Sequence, residues 1–272
     1  MRTGAVVCCT LLLLAAVVGA AAGAERIERS AIVISADHEF TPKNGVCSGQ
    51  GTAEAPYVIE GYRIDAGYED YGIRIQGTTK AFVIRDVEIS GAKKAGIFLS
   101  YVQNARIEDS VLKGNWIGIT LSFSSFIRIA RCTLSNNTDG IHLYFSHHNQ
   151  ILSNTFGRND TSIWFDASDQ NELLNNLIAD SHMGAYFTLG STGNRITNNA
   201  FLRNVHHART ANSNRWDDGV GRGNYWGSFA GVDTNNDGIW DSPYRINNDG
   251  EQDRFPLVTH PLAPPAPPET CG

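Results

Sequence analysis

The sequence predicts an all-β fold, a single-stranded right-handed parallel β-helix with rungs of about 22 residues and an aromatic C-terminal cap. Three observations carry that expectation. The chain repeats itself from Gly72, Gly96, Gly118, Gly140, Ser162 and Gly184, at spacings of 24, 22, 22, 22 and 22 residues. Each repeat opens on an alternating pair, from Ile73/Ile75 through Ile141/Leu143 to Ala185/Phe187, the period of a strand with one buried face. A second apolar pair five residues apart follows, from Ile84/Ile89 to Ile196/Phe201, and reads as a second strand. A unit this short cannot bury its own apolar face, so stacked neighbours must share one core.

The third observation is asparagine at fixed phase. One file runs Ser110, Cys132, Asn154, Asn176 and Asn199; a second runs Asn115, Asn137, Asn159, Ser181 and Asn204; a third runs Asn149, Asn171 and Asn194. Amides stacked about 4.8 Å apart can hydrogen-bond along an axis, and Asn tolerates the left-handed backbone of sharp turns. Most of this asparagine is therefore expected to be structural.

The elements follow in order. Residues 1–24 carry Arg2, an apolar run around Leu11 to Leu14 and a small-residue Ala22-Gly23-Ala24 end, the pattern of a cleavable signal peptide. Residues 25–71 form an N-terminal cap and first incomplete coil, in which Ile32/Ile34 and Ile59/Ile64 already match rung positions. Residues 72–207 are the rungs. Residues 208–260 form the C-terminal cap, where Trp216, Tyr225, Trp226, Phe229 and Trp240 arrive together to cover an exposed core end. Residues 261–272 are a Pro/Ala-rich extended tail.

Composition narrows the function classes. A net charge of −6 with no Lys/Arg cluster excludes nucleic-acid binding, and after signal cleavage no apolar run is long enough to span a membrane. Beyond Cys8 and Cys9 in the leader, Cys47, Cys132 and Cys271 show no CxxC spacing, and Cys132 reads as a small residue in an asparagine file. Secretion to the periplasm or cell surface is the expected location.

The opening ISADHEFTPKNGVCSGQGTAEAPYVIEGYRI and the ending GRGNYWGSFAGVDTNNDGIWDSPYRI, followed by DRFPL, resemble the NosD-type right-handed parallel β-helix repeat proteins, over roughly residues 31 to 258. The rungs alone are shared with pectin lyase-like carbohydrate-active proteins. The resemblance implies a secreted or periplasmic protein. Its best-known members are associated with copper-site maturation of nitrous-oxide reductase.

Three constellations could carry chemistry. Alternation puts His142, Trp164 and Tyr186, with Tyr144 and Asp166 beside them, on the outer face of successive rungs, where a contiguous aromatic stripe would bind a glycan or a surface protein. Asp166 is the only acid in that stripe and the one candidate for catalysis on a polysaccharide; Asp139 would have to turn towards it. The segment Asp233-x-Asn235-x-Asp237-Gly238-Ile239-x-Asp241 matches the first nine positions of a Ca2+ loop, with Tyr244 at position twelve and Asp249, Glu251 or Asp253 as sources of a further ligand. His182-Met183 and His206-His207 fall at the ends of successive rungs, so His182 should meet His206 and Met183 should meet His207, donors that suit copper (Cu).

Overall fold

The structure, a computed structural model, describes residues 25–262 apart from 68, 211–212 and 247–249. The expected signal peptide of residues 1–24, Cys271, Asp249 and all but the first two residues of the Pro-rich tail lie outside the described residues.

Three parallel sheets form the walls of the solenoid. Sheet A holds nine strands, from Ile27–Glu28 to Tyr225–Trp226; sheet B holds eight, from Ile32–Ile34 to His206–Arg209; sheet C holds seven, from Tyr57–Glu60 to Arg195–Thr197. One rung shows the path. Ile117–Ser122 lies in sheet B, Arg128–Ala130 in sheet C and Thr133–Ser135 in sheet A, and Asp139–Tyr144 then returns to sheet B beside the first strand. This coil has the right-handed sense of parallel crossover connections.

A rung thus has three strands, which corrects the two-strand expectation. The pair Ile107/Leu112 spans two strands, Ala105–Glu108 and Val111–Lys113. An offset of five would place the two residues on opposite faces of one continuous strand, yet both are fully buried. Asp109 makes this possible, because its left-handed backbone (φ 50°) turns the chain between them.

Register is set by the core. Ile97, Ile119, Ile141 and Ile163 stack in one file, and Leu99, Leu121, Leu143, Phe165 and Phe187 in the next, all essentially without exposure. The glycine that opens most repeats is required by backbone proximity. A Cβ on Gly140 would sit 2.4 Å from the carbonyl oxygen of Ser162.

The asparagine files are buried ladders with a fixed direction. Asn176 Oδ1 accepts from the backbone N–H of Asn154 (2.8 Å) and from its Nδ2 (3.1 Å), and Asn199 and Asn224 repeat the arrangement. The left-handed residue is the one just before the ladder, as in Ser153, Asn175 and Asn198, not the ladder asparagine itself. Since every rung donates towards the C-terminus, the last rung must meet an acceptor that donates nothing. Asp253 Oδ2 takes that place for the first file, accepting from Asn224 N (2.6 Å) and Trp226 Nε1 (2.9 Å). Glu251 does the same for the third file, accepting from Asn214 N. Cys132 sits in the first ladder as expected, and burial pushes its thiol up to about 12.

The aromatic cap closes the core end. Trp226 stacks between Phe201 (4.6 Å) and Tyr244 (4.1 Å), and Trp216 meets Phe187 edge-on (5.6 Å). The tryptophans continue the inward phenylalanine files by one layer.

Candidate functional site

Sheet B places the predicted stripe in one register file: Arg74, Phe98, Thr120, His142, Trp164, Tyr186 and Arg209 lie side by side on successive rungs. His142 and Trp164 stack at 4.5 Å and 9°, and Trp164 and Tyr186 at 6.0 Å and 26°. The Arg209 guanidinium lies 5.8 Å from the centre of the Tyr186 ring.

The rings stand upright from the sheet and cover one another's faces, so His142, Trp164 and Tyr186 are half-buried and present mainly their edges. Alternation sets the face on which these rings stand and leaves their exposure open. Tyr144 remains exposed and meets His142 at 6.4 Å.

Asp166 is only 8% exposed, a second correction. It accepts from Thr188 Oγ1 at 3.1 Å, and that hydroxyl accepts from Trp164 Nε1 at 2.8 Å. His142 Nε2 lies 3.8 Å from Asp166 Oδ2. Burial lowers the His142 pKa, against the opposing pull of Asp166, so the imidazole is held towards its neutral form. Asp139 does not join them. Burial and then the charge of Asp160 raise the pKa of its carboxyl to about 6, against the hydrogen bond with Thr161, which lowers it. The two-carboxylate geometry of glycoside hydrolysis is therefore not assembled around Asp166.

The histidine cluster is only partly brought together. The rings of His182 and His206 meet edge-on at 5.5 Å, both exposed. Met183 pairs in register with His206 rather than His207, because that rung adds one residue, at the left-handed corner of Gly190, where the expected pairing needs two. Met183 is buried, and His207 turns inward against Trp226 and Phe201, within 3.3 Å of Ser228 Oγ. Burial lowers the His207 pKa. Among the described residues no three His, Cys, Asp or Glu side chains converge as a metal site. Two imidazoles do not make a closed copper centre.

Within the predicted Ca2+ loop the side chains make Asx turns. Asp233 accepts from the N–H groups of Asp237 (3.1 Å) and Gly238 (3.0 Å), Asp237 from that of Ile239 (2.9 Å), Asn235 Nδ2 donates to Asp237, and Asp241 accepts from the Thr234 hydroxyl (2.5 Å). Two proposed extra ligands, Glu251 and Asp253, are engaged as ladder ends instead. Their carboxylates are committed to the cap by the directionality of the asparagine files.

Sequence reasoning missed a second aromatic row. Tyr101, Phe123 and Phe145, at the corner between sheets B and C, stack at 5.0 and 5.3 Å and are more exposed than the stripe. Tyr144 joins the rows, meeting Phe145 at 4.7 Å and Phe123 at 5.5 Å. The signal was present as large apolar residues two positions beyond each inward Leu.

With this geometry established, the relatives can be compared. Two curated proteins, each named probable ABC transporter binding protein NosD, match part of the chain: one from Stutzerimonas stutzeri, 42% identical over 69 residues, and one from Pseudomonas aeruginosa, 39% identical over 72. The matched segments are 25% and 26% of this chain but only 16% and 17% of those relatives. Among solved structures, pectate lyase Pel9A aligns with TM-score 0.49 and 12% identity over 74% of this chain and 65% of its own. A tailspike capsular polysaccharide depolymerase of Acinetobacter baumannii bacteriophage Fri1 aligns with TM-score 0.40 and 11% identity over 62% of this chain and 40% of its own. The family model described as periplasmic copper-binding protein (NosD) matches residues 26–231, most of the solenoid and part of the cap, and the chain belongs to the NosD family.

Proposed function

We propose that this chain is a periplasmic binding or assembly scaffold that engages a glycan or a surface protein through the outer face of sheet B. The observation that carries this reading is the continuous row from His142 through Trp164 to Tyr186, ended by Arg209. Outward positions on a solvated sheet are ordinarily polar, whereas upright rings with polar neighbours offer a rigid, amphipathic surface of the kind enriched at recognition sites. Thr188 and Asp166 fix the indole from beneath, so little ordering is needed on binding.

The test is binding of the purified protein to neutral and acidic oligosaccharide panels and to isolated periplasmic surface proteins. Trp164→Ala together with Tyr186→Ala should weaken binding at least about tenfold, the cost of losing a buried-ring contact of about 1.4 kcal/mol. Undiminished binding by the double variant would remove the stripe from the interface.

Copper handling is the second reading, favoured by the family description and by the His182/His206 contact. Copper supplies a soft or borderline Lewis acid to imidazole ligands. This chain's part would be limited to presenting two exposed imidazoles, with a partner completing the donor set. Titration with copper, read against His182→Ala and His206→Ala, tests it.

A further inference from the structure

Each of the solenoid's three corners carries a file of left-handed residues, and the side chains in these files differ. At the corner from sheet C to sheet A, the left-handed positions are Asp86, Asp109, Arg131, Ser153, Asn175 and Asn198; at that from A to B they include Asn136, Arg158, Asp180 and Arg203. All are polar, and ion pairs such as Arg131–Asp109 and Arg203–Asp180 tie adjacent rungs. At the corner from B to C the corresponding file reads Tyr101, Phe123, Phe145, Ala167 and Leu189, with φ of 52, 47, 45, 47 and 47°. Left-handed backbone disfavours bulky side chains by about 1 kcal/mol or more, and Asn, Asp or Gly fills such positions cheaply. Here five consecutive rungs carry no charge, and Tyr101 and Leu189 are 64% and 71% exposed. Phe126, 57% exposed, extends the surface and stacks on His148 at 5.3 Å.

We infer that this corner is a self-association surface, on which a second copy of the chain packs antiparallel about a two-fold axis through Phe145. The corner file offers no cations for an anionic lipid surface, and the chain is acidic overall. An apolar ridge repeating once per rung matches best a surface of the same period, and a second copy supplies it. The two-fold sets Phe123 opposite Ala167 and Tyr101 opposite Leu189, a projecting ring against a gap on each side of Phe145. At about 200 Å² per fully exposed large side chain, complete burial of Tyr101, Phe123, Phe126, Phe145 and Leu189 removes about 1,100 Å² in total from the two copies, near the lower bound for a specific interface. The expected association is weak and strengthens with salt, because only the long-range repulsion of two acidic chains is screened.

The experiment is sedimentation velocity of the purified protein across micromolar to hundreds of micromolar concentration, at low and high salt. Phe145→Asn suits the left-handed backbone, should preserve or raise the melting temperature, and should weaken dimerisation at least about tenfold. Ala167→Phe adds apolar surface but fills the gap, so it too should weaken the dimer; stronger association would mean non-specific stickiness and overturn the inference. A monomer at all concentrations, or a dimer indifferent to both substitutions, also overturns it. Loss of oligosaccharide binding in Phe145→Asn without any dimer in the parent protein would assign the corner to a glycan instead.

Discussion

Replacing Asp253 with Ala gives the sharpest test of the directional ladders. Asp253 is fully buried and accepts through Oδ2 from Asn224 N and Trp226 Nε1, while Oδ1 accepts from Phe255 N at 3.0 Å. The substitution strands at least two buried donors, at about 1–3 kcal/mol each, so the protonated state should lose about 2–6 kcal/mol of stability. Ionisation changes that figure. Burial raises the Asp253 pKa to about 6, against hydrogen bonds from Asn224 and Trp226 that lower it. A raised folded pKa means that the native state holds the proton more tightly than the unfolded chain does. Its contribution is therefore fully present below the unfolded value of 3.8 and is lost as pH rises through about 6. Two pKa units amount to about 3 kcal/mol, so the cost of Asp253→Ala should shrink by about that much between acid and neutral pH. Urea unfolding at several pH values measures the difference, and amide exchange should show the loss beginning in the rungs nearest the cap, since contacts in a solenoid are with neighbouring rungs. A cost that grows with pH would refute the raised Asp253 pKa, and a loss of protection spread evenly along the solenoid would refute the account of Asp253 as the ladder's terminal acceptor.

Other substitutions probe the same architecture at separate points. Asn176→Ala deprives both Asn154 N and Asn154 Nδ2 of their acceptor and should cost about 2–4 kcal/mol in chemical unfolding, whereas Cys132→Ser, which copies Ser110 one rung earlier, should stay within about 1 kcal/mol. Gly140→Val forces a side chain into the Ser162 carbonyl and should cost about 3 kcal/mol or more, read as a lowered melting temperature. Copper titration followed by absorbance or calorimetry should give a weak, two-imidazole response that His206→Ala abolishes; tight binding that survives loss of both His182 and His206 would place the metal elsewhere.

The repeat was legible because a solenoid turns three-dimensional proximity into a fixed sequence offset. Ile119 touches Ile141 for the same reason that it precedes it by one rung, and the asparagine files announced themselves by the same arithmetic. The third sheet was not legible, since the single left-handed residue between Ile107 and Leu112 can be any of several types, and here is Asp109. Register at the last rungs failed because that rung adds one residue near Gly190 and so pairs His206 with Met183, where the expected pairing with His182 needs two. The exposure of the stripe stayed open for a different reason. Alternation gives the direction in which Trp164 points but not how much of its face His142 and Tyr186 cover.

Inside the solenoid nearly every rung says the same thing, Ile or Leu or Phe at each inward position, because each must fit the layers above and below it. Repetition of that kind encodes a fold and cannot encode a partner. Information about partners has to reside where adjacent rungs differ while the backbone does not: Thr120, His142, Trp164 and Tyr186 at one outward position of sheet B, and Tyr101, Phe123 and Phe145 at one corner whose counterparts are polar. Both departures fall on the same side of the prism and meet at Tyr144. Membership in a family does not by itself name a partner, and the proposed recognition rests on that side of the coil rather than on its repeated geometry.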